Sequence, residues 1–295
     1  MKKKLVGLIL GTVMTITTLS GTSVMAADDG LTFAIVYPNI FPFFDAIGNG
    51  AEDKIEEMGQ NITLIKEGAQ NGDVSNQIQI MEDLINQKVD GIAIGPCDSE
   101  ALTPYIDKAV DAGIPVLCFD TDAPDSKRFG YVGTDNYEAG RAMGEELGKA
   151  LDGKGSVICE TGVVSQAGLI ARLEGVEDVL KENYPDIENM ITSYPDFDAL
   201  IQVDAAGEAG VTAFKSHGWT KEDKVLIVFD DLEPVINGVR DGQVYSTVTQ
   251  GQKNWGAAAV EELYALTQGE EIPENTDTGF VIVNSDNVDE LYPEE

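Results

Sequence analysis

The stretch "VDGIAIGPCDSEALTPYIDKAVDAGIPVLCFD", residues 89–120, decides the fold. It opens on a short apolar run, "DGIAIG", and passes through a segment of helical spacing over 99–112, closed by Gly113. It then returns to an apolar run, "IPVLCFD". Short apolar, β-rich runs on either side of a helical segment read as strand, helix, strand. Strands joined through a helix are parallel neighbours, so the unit predicts a parallel sheet covered by helices.

The unit repeats in both directions. Before it come the strand "LTFAIVY" (31–37), helical spacing over 43–59 ending at Gly59, the strand "ITLIKE" and the amphipathic helix "VSNQIQIMEDLINQK". After it, "RFGYVGTD" leads through a strand into the helix "NYEAGRAMGEELGKAL". The pattern restarts at "GSVICETG" (155–162), with a helix over about 166–183, the strand "ALIQVD" (199–204) and a helix over 205–217. There follow "KVLIVFDD", a short helix over 232–240, "VYSTVTQ", a long helix over 252–268 and a last strand, "GFVIVN" (279–284). No Pro-, Gly- or Ser-rich linker divides the 295 residues, so two α/β lobes joined by several crossovers fit better than two separate beads.

Residues 1–26 stand apart. "MKKK" is basic, "LVGLILGTVMTITTL" is apolar with polar interruptions, and "SVMA" ends in a small residue. This reads as a secretory signal peptide cut after Ala26; the apolar run is shorter than the ~20 residues that span a bilayer. Thr22 stands where a lipidated cysteine would be, so no lipid anchor is expected. Removing the segment leaves 16 basic residues (19 − 3) against 52 acidic ones, a net charge of −36 (16 − 52). Such a surface repels nucleic acid and anionic lipid and disfavours anionic ligands unless a local cation intervenes.

Cys97, Cys118 and Cys159 each sit in or beside an apolar run and read as free buried thiols, with a Cys97–Cys118 disulfide left open. The single histidine, His217 in "KSHGW", reads as a helix end, which speaks against a His-rich zinc site or a Ser-His-Asp scheme. There is no Walker loop and no strict GxGxxG after the first strand, and "GVVSQAG" lacks the spacing of a nucleophile elbow. No cofactor or metal is expected.

Open parallel sheets bind ligands beyond the carboxyl ends of their strands. Here several ends are polar: Asp120, Asp204, Asp230 and Gln250. "YPNIFPFFD" (37–45) places Phe43 and Phe44 side by side just past the first strand, and two adjacent rings cannot both point into one core. Singly, each polar end could cap a helix or a turn. Together, carboxylates, an amide and rings suit a neutral polyhydroxy ligand: hydroxyls donate to carboxylates, and the C–H face of a sugar lies on an aromatic ring. Arg172 in "ARLEGVED" offers a forked donor, or else pairs on the helix surface with Glu174 or Glu177.

Five segments then carry a resemblance: "PFFDAIGNGAEDKIEEMG", residues 89–128, "YVGTDNYEAGRAMGEEL", "VDAAGEAGVTAF" and "VFDDLEPVINGVRDGQVYSTVTQ". In this order they resemble the type I periplasmic sugar-binding proteins of the ribose-binding group. The resemblance implies two Rossmann-like lobes, three hinge crossovers, and a monosaccharide or polyol held between closing lobes for delivery to an ABC permease. It implies lobes of 27–134 plus 252–278 and of 135–251 plus 279–295. The ligand-binding set it implies, with the strand ends above, is Phe43, Phe44, Asp120, Asp122, Arg172, Asp204, Asp230 and Gln250. Phe41 and Gly95 stand where the group has asparagines, and Thr121 where it has an arginine, so the sugar need not be ribose. A chemoreceptor or sensor kinase is a further possible partner.

One segment departs from the pattern. Between the helix ending near Asn183 and "ALIQVD" lie only "YPDIENMITSYPDFD" (184–198), where the family places a strand and a helix. Strands of ~5 and helices of ~11 residues do not both fit with their turns. A strand at "NMITSY" would need a parallel crossover, ordinarily about a dozen residues, within "PDFD". The favoured reading makes "ENMITSY" the tail of a helix and leaves the second lobe one strand short, with an exposed edge, lower stability, a tendency to associate and weak or absent binding.

Two other function classes were weighed. A regulator of the lactose-repressor type needs a basic helix-turn-helix where this chain has an apolar leader. A secreted sugar hydrolase would use paired carboxylates across the cleft, and hydrolysis of a glycoside distinguishes it from a receptor.

Overall fold

The computed structural model describes residues 30–162, 166–190, 197–205 and 207–293. The leader expected over 1–26 lies outside them. The first part of the chain runs β1 (Leu31–Tyr37), a 3-10 turn (Pro42–Phe44), α1 (Asp45–Met58), β2 (Ile62–Gly68), α2 (Val74–Gln87), β3 (Gly91–Ile94), α3 (Ser99–Asp111), β4 (Val116–Phe119) and β5 (Gly130–Gly133). The second runs α4 (Asn136–Ala150), β6 (Lys154–Glu160), α5 (Ala167–Asn183), β7 (Asp186–Met190), β8 (Ala199–Gln202), α6 (Gly207–His217), β9 (Val225–Phe229), α7 (Glu233–Arg240) and β10 (Ser246–Gln250). The chain closes with α8 (Gln252–Thr267), β11 (Asn275–Asp277), β12 (Phe280–Asn284) and α9 (Val288–Leu291).

The strands form two six-stranded sheets, ordered β2-β1-β3-β4-β5-β11 and β7-β6-β8-β9-β10-β12. The pairings are parallel except β10 with β12. Each sheet repeats the doubly wound order 2-1-3-4-5, in which the central strands are covered on both faces. That is why β3, β4, β9 and β10 are buried at every position, and why β3, β4 and β9 read as continuous apolar runs, while β10 buries polar side chains around Val248. The chain passes between the sheets three times, at 134–135, at Gly251 and at 278–279.

Each face of each sheet holds its own core. In the first lobe α2 and α3 bring Met81, Leu84, Leu102 and Ile106 onto Val36 and Ile94, and α1 and α8 bring Ile47, Trp255 and Leu263 onto Phe33 and Ile35. In the second, α4 and α5 bring Met143, Leu147 and Val176 onto Val157 and Ile201, while α6 and α7 bring Val211, Phe214 and Val235 onto Leu226 and Val228. Each such side chain contributes roughly 1.5–3 kcal/mol on burial. Aspartates fix helix starts: Asp73, Asp98 and Asp135 accept from the third following amide of α2, α3 and α4, at 2.8, 2.9 and 3.0 Å.

Two helix pairs approach at backbone distance. A Cβ at Gly140 of α4 would overlap the Arg172 carbonyl of α5, and one at Gly175 of α5 the Tyr137 carbonyl of α4. The first lobe repeats the device: a Cβ at Gly50 of α1 would overlap the Lys253 carbonyl of α8, and one at Gly256 the Ile47 carbonyl. In both lobes the helix entered from a crossover lies directly against the first helix of the lobe.

The expectation of a missing strand is overturned. β7 occupies the edge beside β6, pairing Ile187 with Gly155 and Met190 with Ile158 in parallel register. An edge strand buries one face, and over 186–189 of this one Ile187 alone is buried, so "DIENM" carries no strand-like apolar run. What differs from the first lobe is the connection: eight residues, 191–198, link β7 to β8, whereas 22 residues, 69–90, including α2, link β2 to β3. Of those eight, 191–196 lie outside the described residues. Among the described residues no helix stands where α2 stands in the first lobe, and on that face Ile158 and Leu200 are only partly buried and Glu188 is exposed.

All three thiols are free, so the Cys97–Cys118 alternative is not realised. Cys118 is fully buried, and burial pushes its thiol up to about 12, whereas Cys97 keeps some exposure. His217 ends α6, stacked on Trp219 at 4.4 Å, with Nδ1 2.9 Å from the Ala213 carbonyl oxygen.

Candidate functional site

A cavity of about 480 Å³ lies between the lobes at the carboxyl ends of both sheets. The first lobe supplies the turn after β1. Pro42 opens a 3-10 turn, which splits the two rings. Phe43 is buried edge-on against Trp255 (6.0 Å) and Phe44 (5.0 Å), while Phe44 stays half-buried, stacked on Tyr37 at 5.9 Å. Both line the cavity, so one ring is core and wall together and the other mainly wall.

Asp120 and Asp230 are counterparts. Each is the residue after the fourth strand of its sheet, and each holds left-handed backbone, φ 61° and 69°. This conformation turns the chain out of the sheet and is least costly for Asp, Asn and Gly. The Asp120 carbonyl accepts from the Tyr131 hydroxyl at 2.9 Å, and the Asp230 carbonyl from the Thr247 hydroxyl at 2.6 Å. Asp120 keeps some exposure into the cleft, but the cleft walls take it out of bulk water. Burial pushes Asp120 up to about 6 and Asp230 up to about 7, against the opposing pull of the Arg172 charge.

Arg172 lies on α5, 6 % exposed. Its Nε donates to Asn136 Oδ1 at 2.7 Å, Nη1 to the Val203 carbonyl at 2.9 Å and Nη2 to Gln250 Oε1 at 3.0 Å. Gln250 in turn donates to Asp230 Oδ1 at 2.8 Å. The guanidinium lies 3.7 Å over the Phe229 ring. Burial pulls its proton affinity down, while Asp230, Asp120 and Asp204 pull it up. Three of its five donors are used within the protein, so its remaining N–H groups are available to a guest in the cavity. The surface pairing with Glu174 or Glu177 is not what forms. Asp204 completes the group: a Cβ at Gly162 would overlap its carboxylate, so that glycine makes its room.

Seven of the eight candidate residues therefore line one cavity. Asp122 is not among the lining residues. Its carboxylate binds Arg128 through both oxygens, to Nε and, at 2.6 Å, to Nη2, because the turn at Asp120 sends it to the outer side of the loop. The lining also holds residues that strand-end reading missed: Asn39, Cys97, Thr121, Asn136, Gln166 and Leu169. Asn136 follows the cap of α4, and its service to Arg172 depends on α4 lying against α5. Phe41 and Thr121 line the cavity, whereas Gly95 packs under Pro38 and is not among the lining residues.

Carboxylates, one guanidinium fork and a ring wall, shared between two lobes, line one cleft. The family model described as periplasmic binding protein domain matches residues 33–271, and the chain belongs to this family. It is 29% identical over 264 residues to the D-ribose/D-allose-binding protein of Pseudomonas aeruginosa, covering 81% of this chain and 82% of that one. It is 30% identical over 252 residues to the xylitol-binding protein of Mycolicibacterium smegmatis, covering 78% and 70%. Among solved structures, the ABC transporter solute-binding protein of Burkholderia graminis C4D1M in complex with D-arabinose superposes with a TM-score of 0.80 at 30% identity, covering 90% of this chain and 97% of that one. The chain is thus a periplasmic binding protein of type I, and the relatives named here are sugar- or polyol-binding proteins and an ABC-transporter solute-binding protein, not enzymes.

Proposed function

We propose that this protein captures a monosaccharide or polyol between its lobes and delivers it to an ABC permease. The observation that carries the reading is the convergence of Phe43, Phe44 and Asp120 from one lobe with Arg172, Asp204, Asp230 and Gln250 from the other on a single cavity. The relatives named for ribose, allose and xylitol, and the neighbour holding D-arabinose, support the ligand class. A bound molecule touching both lobes favours the closed arrangement by its differential affinity, with bending placed at the boundaries 134/135, 251/252 and 278/279. Arg172 is the one cation among the lining residues and already faces three carboxylates, so a neutral ligand suits the site better than an anion. Export by a leader cut before Ala27, without a lipid, belongs to the same reading; intact mass of protein from its native host checks it, and a diacylglycerol adduct would refute it. Calorimetric titration against a panel of pentoses, hexoses and polyols tests the function. Saturable binding lost in Asp230→Ala supports it, and absence of binding by every member sinks it.

A further inference from the structure

A second cavity, of about 620 Å³, adjoins the first and shares Phe41 and Ala205 with it. One wall is the Phe41 ring of the first lobe, and the other is the outer face of α6, with Ala209, Thr212 and Ala213, together with Leu232 before α7. Phe41 is 40% exposed, and its neighbour Ile40 is 65% exposed, so apolar surface stands uncovered at the rim of the ligand cleft. The two chambers differ in chemistry. The inner one presents three aspartates, an arginine and four side-chain amides to its contents. The outer one has a ring, methyl groups and a leucine, with Glu208 and Ser216 as its polar side groups besides Thr212. A hydroxyl-rich ring finds partners only in the inner chamber, whereas an apolar group is favoured in the outer one through burial against Phe41 and Leu232.

We propose that the cleft takes a substituted sugar or polyol, an alkyl or aryl glycoside, with the sugar in the inner chamber and the aglycone between Phe41 and α6. This rests on the sugar-binding reading above and adds the class of sugar to it. The two chambers meet at Phe41, in the turn after β1, and at Ala205, the residue after Asp204, so a substituent directed there passes from one to the other. Ala209 and Ala213 leave the space the aglycone occupies, and both are solvent-exposed positions of a helix.

The test is titration of the full mature chain with free monosaccharides and with the methyl and phenyl glycosides of the same sugars. It is repeated in Ala209→Trp, which fills the outer chamber at an exposed helical position and leaves the inner lining untouched. The phenyl glycoside of the preferred sugar is expected to bind about tenfold tighter than the free sugar. That advantage is expected to vanish in Ala209→Trp while free-sugar affinity stays the same, with an unchanged melting temperature showing that the fold is kept. Free sugars that bind while their glycosides bind more weakly, or an advantage that survives Ala209→Trp, overturn the inference and leave the sugar-binding reading standing. Failure of every compound, free and substituted, overturns the sugar-binding reading itself, and this inference with it.

Discussion

The two lobes share a strand order and a cavity-lining carboxylate at the same strand end, yet they support their second strands differently. In the first, α2 covers the sheet with Met81 and Leu84. Its Gln77, fully buried, donates to the carbonyls of Tyr37 (3.1 Å) and Gly95 (2.7 Å) and accepts from the Cys97 amide (2.9 Å). That single amide ties together the two loops that present Phe43, Phe44 and Cys97. In the second lobe no described helix plays this part, and the strand ends are linked directly, Gln202 donating to Glu160 at 2.6 Å. Asp230, Gln250 and Arg172 stand after β9, at the end of β10 and on α5, outside the short β7–β8 connection. A doubly wound lobe can thus lose cover over its edge and keep its site, because the site hangs from the central strands.

The contrast gives predictions of falling size. Met81→Ala empties a fully covered core position and should lower stability by about 3 kcal/mol, while Leu200→Ala in the second lobe should cost less than half of that; urea unfolding of both variants measures the difference, and equal losses would show the second sheet to be as well covered as the first. Next, Arg172→Ala leaves Asn136, Gln250 and the Val203 carbonyl without their donor and should weaken ligand binding by about 2 kcal/mol or more, whereas Phe44→Ala on the opposite lobe should cost about 1 kcal/mol through lost stacking. Calorimetry decides, and equal losses would erase the division of labour between polar and aromatic walls.

The counterpart aspartates make the third prediction. Both are raised in the folded state, from 3.8 to about 6 for Asp120 and about 7 for Asp230. The folded protein therefore holds protons that the unfolded chain has released, and stability is greatest below pH ~4 as far as these groups are concerned and is lost as pH rises through about 6 and 7. Binding has the opposite sign: ligand hydroxyls donate to ionised carboxylates, so affinity should rise over the same window. Asp230→Asn should flatten the stability curve and add on the order of 1 to 2 kcal/mol at pH 8; thermal melts from pH 4 to 8 check both slopes. The smallest effect concerns helix ends. Asp98→Ala removes the cap of α3 and should cost about 1 kcal/mol, while alanine at Gln166, which makes no cap bond to α5, should leave stability nearly unchanged.

The sequence showed most where burial is two-sided. β1, β3, β4 and β9 announce themselves because every residue, or nearly every one, must be apolar or small. β7 and β11 were missed because an edge strand of three to five residues with one covered face has no such pattern. The site divides along the same line. A polar residue ending an apolar run stands out, and Asp120, Asp204, Asp230 and Gln250 were visible for that reason. Asn136, Gln166 and Cys97 reach the cavity through the packing of one element on another, which no single run encodes. Asp122 misled because its neighbourhood in sequence is that of Asp120, while the left-handed turn at Asp120 parts their directions.

The four glycines at the paired helices reach further than packing. With glycine at their closest approach, α4 and α5 meet backbone to backbone and form one packed blade, rooted at the crossover 134–135 and carrying Arg172 on its edge. The pair α8 and α1 is a second blade, rooted at Gly251 and carrying Phe43 and Phe44 at its tip. In the proposed closure, bending at the crossovers would reach the two cavity walls through these packed pairs, like the pivot of a pair of pliers acting on its jaws. That gearing is set by the smallest residues, none of which lines the cavity.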